Sequence, residues 1–113
     1  MITIWHNPRC SKSRQTLALI EASGLPYTQR RYLDDPPTAD ELRAVRARLD
    51  IPLIDILRPS EAAFRAAGLD AAAPEAALIA LATAHPIVIE RPIVIRGDRA
   101  VIGRPPENVS ALL

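Results

Sequence analysis

Ile2, Ile4 and Trp5 set out a short apolar strand that runs into His6-Asn7-Pro8-Arg9-Cys10, a loop that its proline keeps out of helix. From Ser11 to Ser23 the period changes to that of a helix. Leu17 and Ile20 fall on one face, Gly24 stands where a left-handed C-terminal cap belongs, and Pro26 prevents continuation. Tyr27 to Tyr32 reads as a second strand. Strand, helix and strand in so short a span predict a βαβ unit with a right-handed crossover.

Asp34-Asp35-Pro36-Pro37 closes that unit, and Thr38 with Glu41 has capping-box spacing for a helix that turns Leu42, Val45 and Leu49 inward. Leu53 to Leu57 forms a short apolar turn. Ser60 is placed to cap a segment ended by Gly68, and Pro74 to open a helix running to Ala84. His85, before Pro86, fits a C-terminal cap. After Pro86 the alternation of strands returns. Pro92-Ile93-Val94-Ile95 and Ala100-Val101-Ile102 flank Arg96-Gly97-Asp98-Arg99, whose Gly-Asp pair is a two-residue hairpin turn. A last helix carries Val109 and Leu112 on one side. The order βαβ, helices, ββα predicts an α/β fold: a four-stranded mixed sheet in a single domain, 1–113, with a helical insertion at about 38–84.

Composition narrows the chemistry. The chain has 113 residues, 49% hydrophobic and 24% charged, which suits one self-sufficient core. One cysteine, Cys10, permits neither an internal disulfide nor a structural zinc site, and two histidines make a protein-only transition-metal site unexpected; no metal or bound cofactor is expected. The net charge of +1 gives no field to recruit nucleic acid. Lys12 is the only lysine, and most of the arginine excess fits compositional bias. No apolar run approaches a membrane span and the start is too short for a signal peptide, so a cytoplasmic protein with a reduced thiol is expected.

Cys10 falls between a strand end and a helix start, where exposed N–H groups and the helix dipole favour a thiolate. Arg9, Lys12 and Arg14 add positive charge, and Ser13 puts a hydroxyl within reach of the sulfur across the first turn. His6 could support the thiolate as an imidazolium or order the loop by a hydrogen bond. A helix start of this kind also accepts an oxyanion, so a thiolate there can bind and attack one. A phosphatase loop would need arginine where Thr16 stands, and a dithiol oxidoreductase a second cysteine where Ser13 stands. Monothiol chemistry with an external reductant survives.

Five segments in order carry a resemblance over essentially the whole chain: His6-Asn7-Pro8-Arg9-Cys10-Ser11-Lys12-Ser13-Arg14, Tyr32-Leu33 before a proline pair, Leu57-Arg58, Glu90-Arg91-Pro92-Ile93-Val94, and Ile102-Gly103-Arg104-Pro105. The sequence resembles the glutathione- and glutaredoxin-dependent arsenate reductase family, in a shorter branch of it. The resemblance implies a thioredoxin-like fold, Cys10 as the residue that attacks arsenate, and Arg58, Arg91 and Arg104 as the arginines that hold the oxyanion. It further implies a cis peptide before Pro92. His6, Lys12, Ser13, Arg14 and Pro92 are expected as supporting residues.

The resemblance also implies the order of the cycle. The Cys10 thiolate displaces water from arsenate, glutathione attacks the adduct as co-substrate, and glutaredoxin resolves the mixed species, releasing arsenite. Two other readings stay open on the residues: an Spx-like regulatory or non-catalytic relative, and a glutathione-dependent monothiol oxidoreductase that leaves the arginines idle.

Overall fold

The computed structural model describes every residue, Met1–Leu113, and the chain divides into two compact units. The first, the sheet unit, comprises Met1–Asp35 and Arg91–Leu113; the second, the helical unit, comprises Pro36–Glu90. No helix is long and apolar enough to cross a membrane.

In the sheet unit, β1 (Ile2–Trp5), α1 (Ser11–Ser23), β2 (Tyr27–Arg30), β3 (Ile93–Arg96) and β4 (Arg99–Ile102) follow in chain order, and the sheet runs β2-β1-β3-β4. β1 and β2 are parallel, while β1–β3 and β3–β4 are antiparallel, so the sheet is four-stranded and mixed. Ile4 stands opposite Val94. Because side chains alternate along a strand, Ile2, Ile4 and Val94 share a face. Ile20 of α1 and Val109 and Leu112 near the C-terminus join them in one buried cluster. Burying apolar surface of this kind contributes roughly 25 cal/mol per Å². Gly24 ends α1 at φ 73°, and Gly97 opens the hairpin turn at φ 61°, both in the left-handed region that favours glycine.

Two elements of this unit differ from expectation. β2 ends at Arg30 instead of Tyr32, because the Arg31 carbonyl accepts from the N–H groups of Asp34 (3.0 Å) and Asp35 (2.9 Å) and so starts a turn that buries Tyr32. The last helix, Pro106–Leu112, is 3₁₀ and not α: Asn108 N–H donates to the Pro105 carbonyl at 3.0 Å, three residues back. Arg96 donates to the Leu112 carbonyl (2.6 Å) and Arg99 to that of Ala111 (3.2 Å), tying this end to the hairpin.

The helical unit holds α2 (Ala39–Leu49), a 3₁₀ turn at Leu53–Ile56, α3 (Ala62–Ala67), α4 (Glu75–Ala84) and a 3₁₀ turn at Pro86–Val88. The capping box of α2 is complete: Glu41 N–H donates to Thr38 Oγ1 at 3.1 Å, and Thr38 N–H to Glu41 Oε1 at 3.0 Å. Leu42 and Val45 are buried; Leu49 is only half-buried. Ser60 is not the cap of α3. Glu61 occupies that position and its N–H turns back to the Arg58 carbonyl, so the chain enters the helix one residue later. Pro74 stands at the N-cap of α4, one residue before the first helical position, and His85 is its C-cap.

Candidate active site

The loop after β1 is held by its own polar groups. His6 N–H continues the parallel pairing by donating to the Arg30 carbonyl at 2.8 Å. Asn7 then makes a turn: its carbonyl accepts from Cys10 N–H (3.0 Å) and its Oδ1 from Arg9 N–H (3.0 Å). Cys10 is the N-cap residue of α1, in extended conformation at φ −97° and ψ 123°. Its thiol caps no N–H and is half-buried, which leaves the helix start available to a ligand.

Ser13 is fully buried and does not serve the sulfur as expected. Its Oγ lies 2.7 Å from His6 Nδ1 and accepts from Asn7 N–H at 3.0 Å. The hydroxyl has one proton to give and a second lone pair to offer, so the contact is complete in either ring tautomer, and in both it occupies Nδ1 and leaves Nε2 free of it. Burial, and then the positive charges of Arg31 and Arg14, hold His6 below the usual histidine range, while Glu21 opposes them weakly. Of the two roles expected for His6, the loop-ordering hydrogen bond is the one the geometry supports; the imidazolium role runs against its surroundings. Arg14 donates to the Pro8 carbonyl at 2.9 Å, bracing the loop from outside. Lys12 is half-buried, and its carbonyl accepts from Thr16 Oγ1 at 2.8 Å.

Elsewhere in the sheet unit, the Arg91–Pro92 peptide is cis, and so is Arg104–Pro105. Gly103 N–H donates to the Pro92 carbonyl at 2.9 Å, and Arg104 reaches back to donate to the Arg91 carbonyl at 3.3 Å. Asn108 Nδ2 donates to the carbonyls of Ile102 and Arg104, both at 3.2 Å. Two of the three expected oxyanion arginines therefore belong to one hydrogen-bonded corner. Gly103 packs against α1 there. A Cβ on it would stand 2.5 Å from Thr16 Oγ1 and 2.7 Å from Pro92 Cγ, so only glycine fits between the cysteine's helix and the proline ring.

Arg58 lies in the helical unit. Its N–H donates to the Val88 carbonyl at 2.7 Å, Glu90 N–H donates to the Ile56 carbonyl at 2.7 Å, and Leu57 and Ile89 bridge between them. This pairing brings Glu90 to Arg58, whose Nε stands 3.3 Å from Glu90 Oε1 while NH1 bonds Glu61. The guanidinium is thus oriented by two carboxylates, neither of which was singled out as a partner from the sequence. Glu61 shows no spacing signal beyond an ordinary (i, i+3) pair, and the Glu90 contact depends on a backbone bridge.

A half-exposed cysteine at the carboxyl end of parallel strands, beside a strand entered through a cis-proline, defines the class: an α/β protein organised around a cysteine-bearing loop. Residues 5–112 match the ArsC family. The chain is 40% identical over 114 residues to an arsenate reductase of Haemophilus influenzae, covering 99% of this chain and 98% of that protein. It is 45% identical over 112 residues to a protein of Streptomyces viridochromogenes described as an uncharacterized protein in the glnII region, covering 94% of this chain and 93% of that one. The solved arsenate reductase from Vibrio cholerae superposes with a TM-score of 0.95 at 38% identity, covering 99% of this chain and 97% of that chain. The chain belongs to the ArsC family, and its four-stranded mixed sheet is the thioredoxin-like fold of that family.

Proposed function

We propose that this protein is an arsenate reductase in which Cys10 is the attacking thiolate and Arg58, Arg91 and Arg104 hold the oxyanion. The observation that carries the proposal is the place of Cys10: the one thiol of the chain, half-buried at the N-cap of α1, with no capping bond of its own. Full-length similarity to arsenate reductases supports the choice of substrate. His6, Ser13 and Arg14 order the loop, Lys12 adds charge to the helix start, and Pro92 packs by the same helix.

In the first step the sulfur attacks arsenic, an As–S bond forms, an As–O bond breaks and the oxygen leaves as water. Charge grows on the remaining oxygens, and guanidinium donors are suited to hold it. Glutathione, the co-substrate, attacks the Cys10 sulfur. The As–S bonding pair passes to arsenic, so arsenite departs at this step, one earlier than the resemblance implies, and Cys10 is left in a mixed disulfide. A glutaredoxin thiol resolves that disulfide and restores Cys10. Outside thiols are required throughout because the chain holds no second cysteine. We place this cycle in a reducing cytoplasm and treat the chain as one domain with the helical unit as its insertion.

An assay following NADPH oxidation through glutathione reductase tests the thiol dependence. Arsenate turnover should require both glutathione and glutaredoxin; equal turnover with either omitted would contradict it.

A further inference from the structure

β1 and β2 run parallel, so the loops leaving their carboxyl ends lie side by side, where open α/β sheets form crevices. Here they enclose a cleft of about 280 Å³, lined by residues 6–9 from one loop and by Arg31, Leu33 and Asp34 from the other. Its floor is polar and nearly closed to solvent. His6 is 4% exposed and uses Nδ1 on Ser13, which leaves Nε2 without a hydrogen-bond partner. Asn7 is 6% exposed and uses Oδ1 on Arg9 N–H, which leaves its amide NH₂. Arg9 and Arg31 are exposed at the rim, and neither makes an ion pair; nor does Asp34.

We propose that this cleft is the glutathione subsite, with Arg9 and Arg31 on the two carboxylates of the tripeptide and Asp34 on its ammonium group. The match is one of charge pattern: two cations and one anion face two carboxylates and one ammonium. The Asn7 amide NH₂ and the His6 Nε2, buried polar groups in the floor, suit the peptide groups between them. Cys10 follows Arg9 directly in the chain and its N–H bonds the Asn7 carbonyl, so the reacting residue adjoins the loop that lines the cleft. The inference rests on the reading of Cys10 as a thiolate served by glutathione.

S-methylglutathione, which binds but cannot react, separates the two. In an amide-resolved NMR titration of the full chain, shifts should concentrate on His6, Asn7, Arg9, Arg31 and Asp34. Arg31→Gln should weaken the Kd roughly tenfold, about 1.4 kcal/mol, while Arg43→Gln, an exposed arginine of α2 paired with Asp40, should not. In the coupled assay the Arg31→Gln loss should fall on KM for glutathione and not on KM for arsenate. Shifts centred elsewhere, no binding, or an unchanged Kd in Arg31→Gln overturn the subsite. A protein that binds S-methylglutathione in the cleft yet reduces no arsenate keeps the subsite and loses the proposed activity. One that reduces arsenate with an unaltered glutathione KM in Arg31→Gln does the reverse.

Discussion

The Oγ of Ser13 lies 2.7 Å from Nδ1 of His6, and both side chains are buried. This contact joins the first turn of α1 to the end of β1 and leaves the loop between them, with Cys10 at its far end, little freedom. The position three residues after the cysteine is thereby structural: its hydroxyl holds the loop instead of the sulfur.

Ser13→Ala removes the acceptor for Asn7 N–H and the partner of Nδ1 together. Leaving buried polar groups unsatisfied costs about 1–3 kcal/mol. Urea unfolding should show that loss as a lower midpoint with an unchanged slope; a midpoint equal to the wild type's would contradict the network.

The pH dependence of stability follows from His6. Unfolded, it titrates near 6.5; folded, burial and the neighbouring arginines hold it lower. In the window below 6.5 the unfolded chain binds a proton that the folded chain resists, so stability is full above that value and falls as pH drops through it. His6→Asn lacks the titrating group. Its stability should decline less steeply between about pH 7 and 5, and parallel curves for the two proteins would show that His6 contributes nothing.

Arg58 bridges Glu61 and Glu90, all three about three-quarters buried or more. Arg58→Met leaves two carboxylates together without their shared cation and should cost about 1–2 kcal/mol. Adding Glu61→Gln should restore part of it, because one of the two stranded charges is gone. A double-mutant cycle with zero coupling would mean that the bridge is incidental.

Much of this was legible in the sequence because the signals were local. Gly24 and the Thr38–Glu41 box announce helix ends through bonds a few residues long, and the alternation around Gly97-Asp98 announces a hairpin. Cys10 at a helix start could be read the same way. The partners of Ser13 and Arg58 could not, since each is chosen by tertiary packing: the parallel ladder sets His6 over α1, and the Leu57–Ile89 bridge carries Glu90 to Arg58. Arg91 and Arg104 came only through family resemblance, and the hydrogen bond between them is a property of the folded corner. Local pattern also misjudged the last helix, where the sequence carries the apolar face but not the 3₁₀ geometry.

Gly103→Ala tests the corner itself. Thr16 is fully buried with its hydroxyl bonded to the Lys12 carbonyl, and Pro92 is a rigid buried ring, so neither can yield to a Cβ. Overpacking of this kind costs about 1–3 kcal/mol, and the displaced Arg104 should lower arsenate turnover as well. Thermal unfolding and the coupled assay read the two effects; an alanine protein with wild-type Tm would contradict the close packing.

The central claim is that one thiol, Cys10, carries the chemistry. Purified wild-type protein and Cys10→Ser, compared at equal concentration with arsenate, glutathione, glutaredoxin, glutathione reductase and NADPH, test it most directly. Arsenate-dependent NADPH oxidation should proceed with the wild type and fall to the enzyme-free background with the serine protein, while both unfold at similar temperatures. Turnover by Cys10→Ser at the wild-type rate, or none by the wild type, would contradict the account.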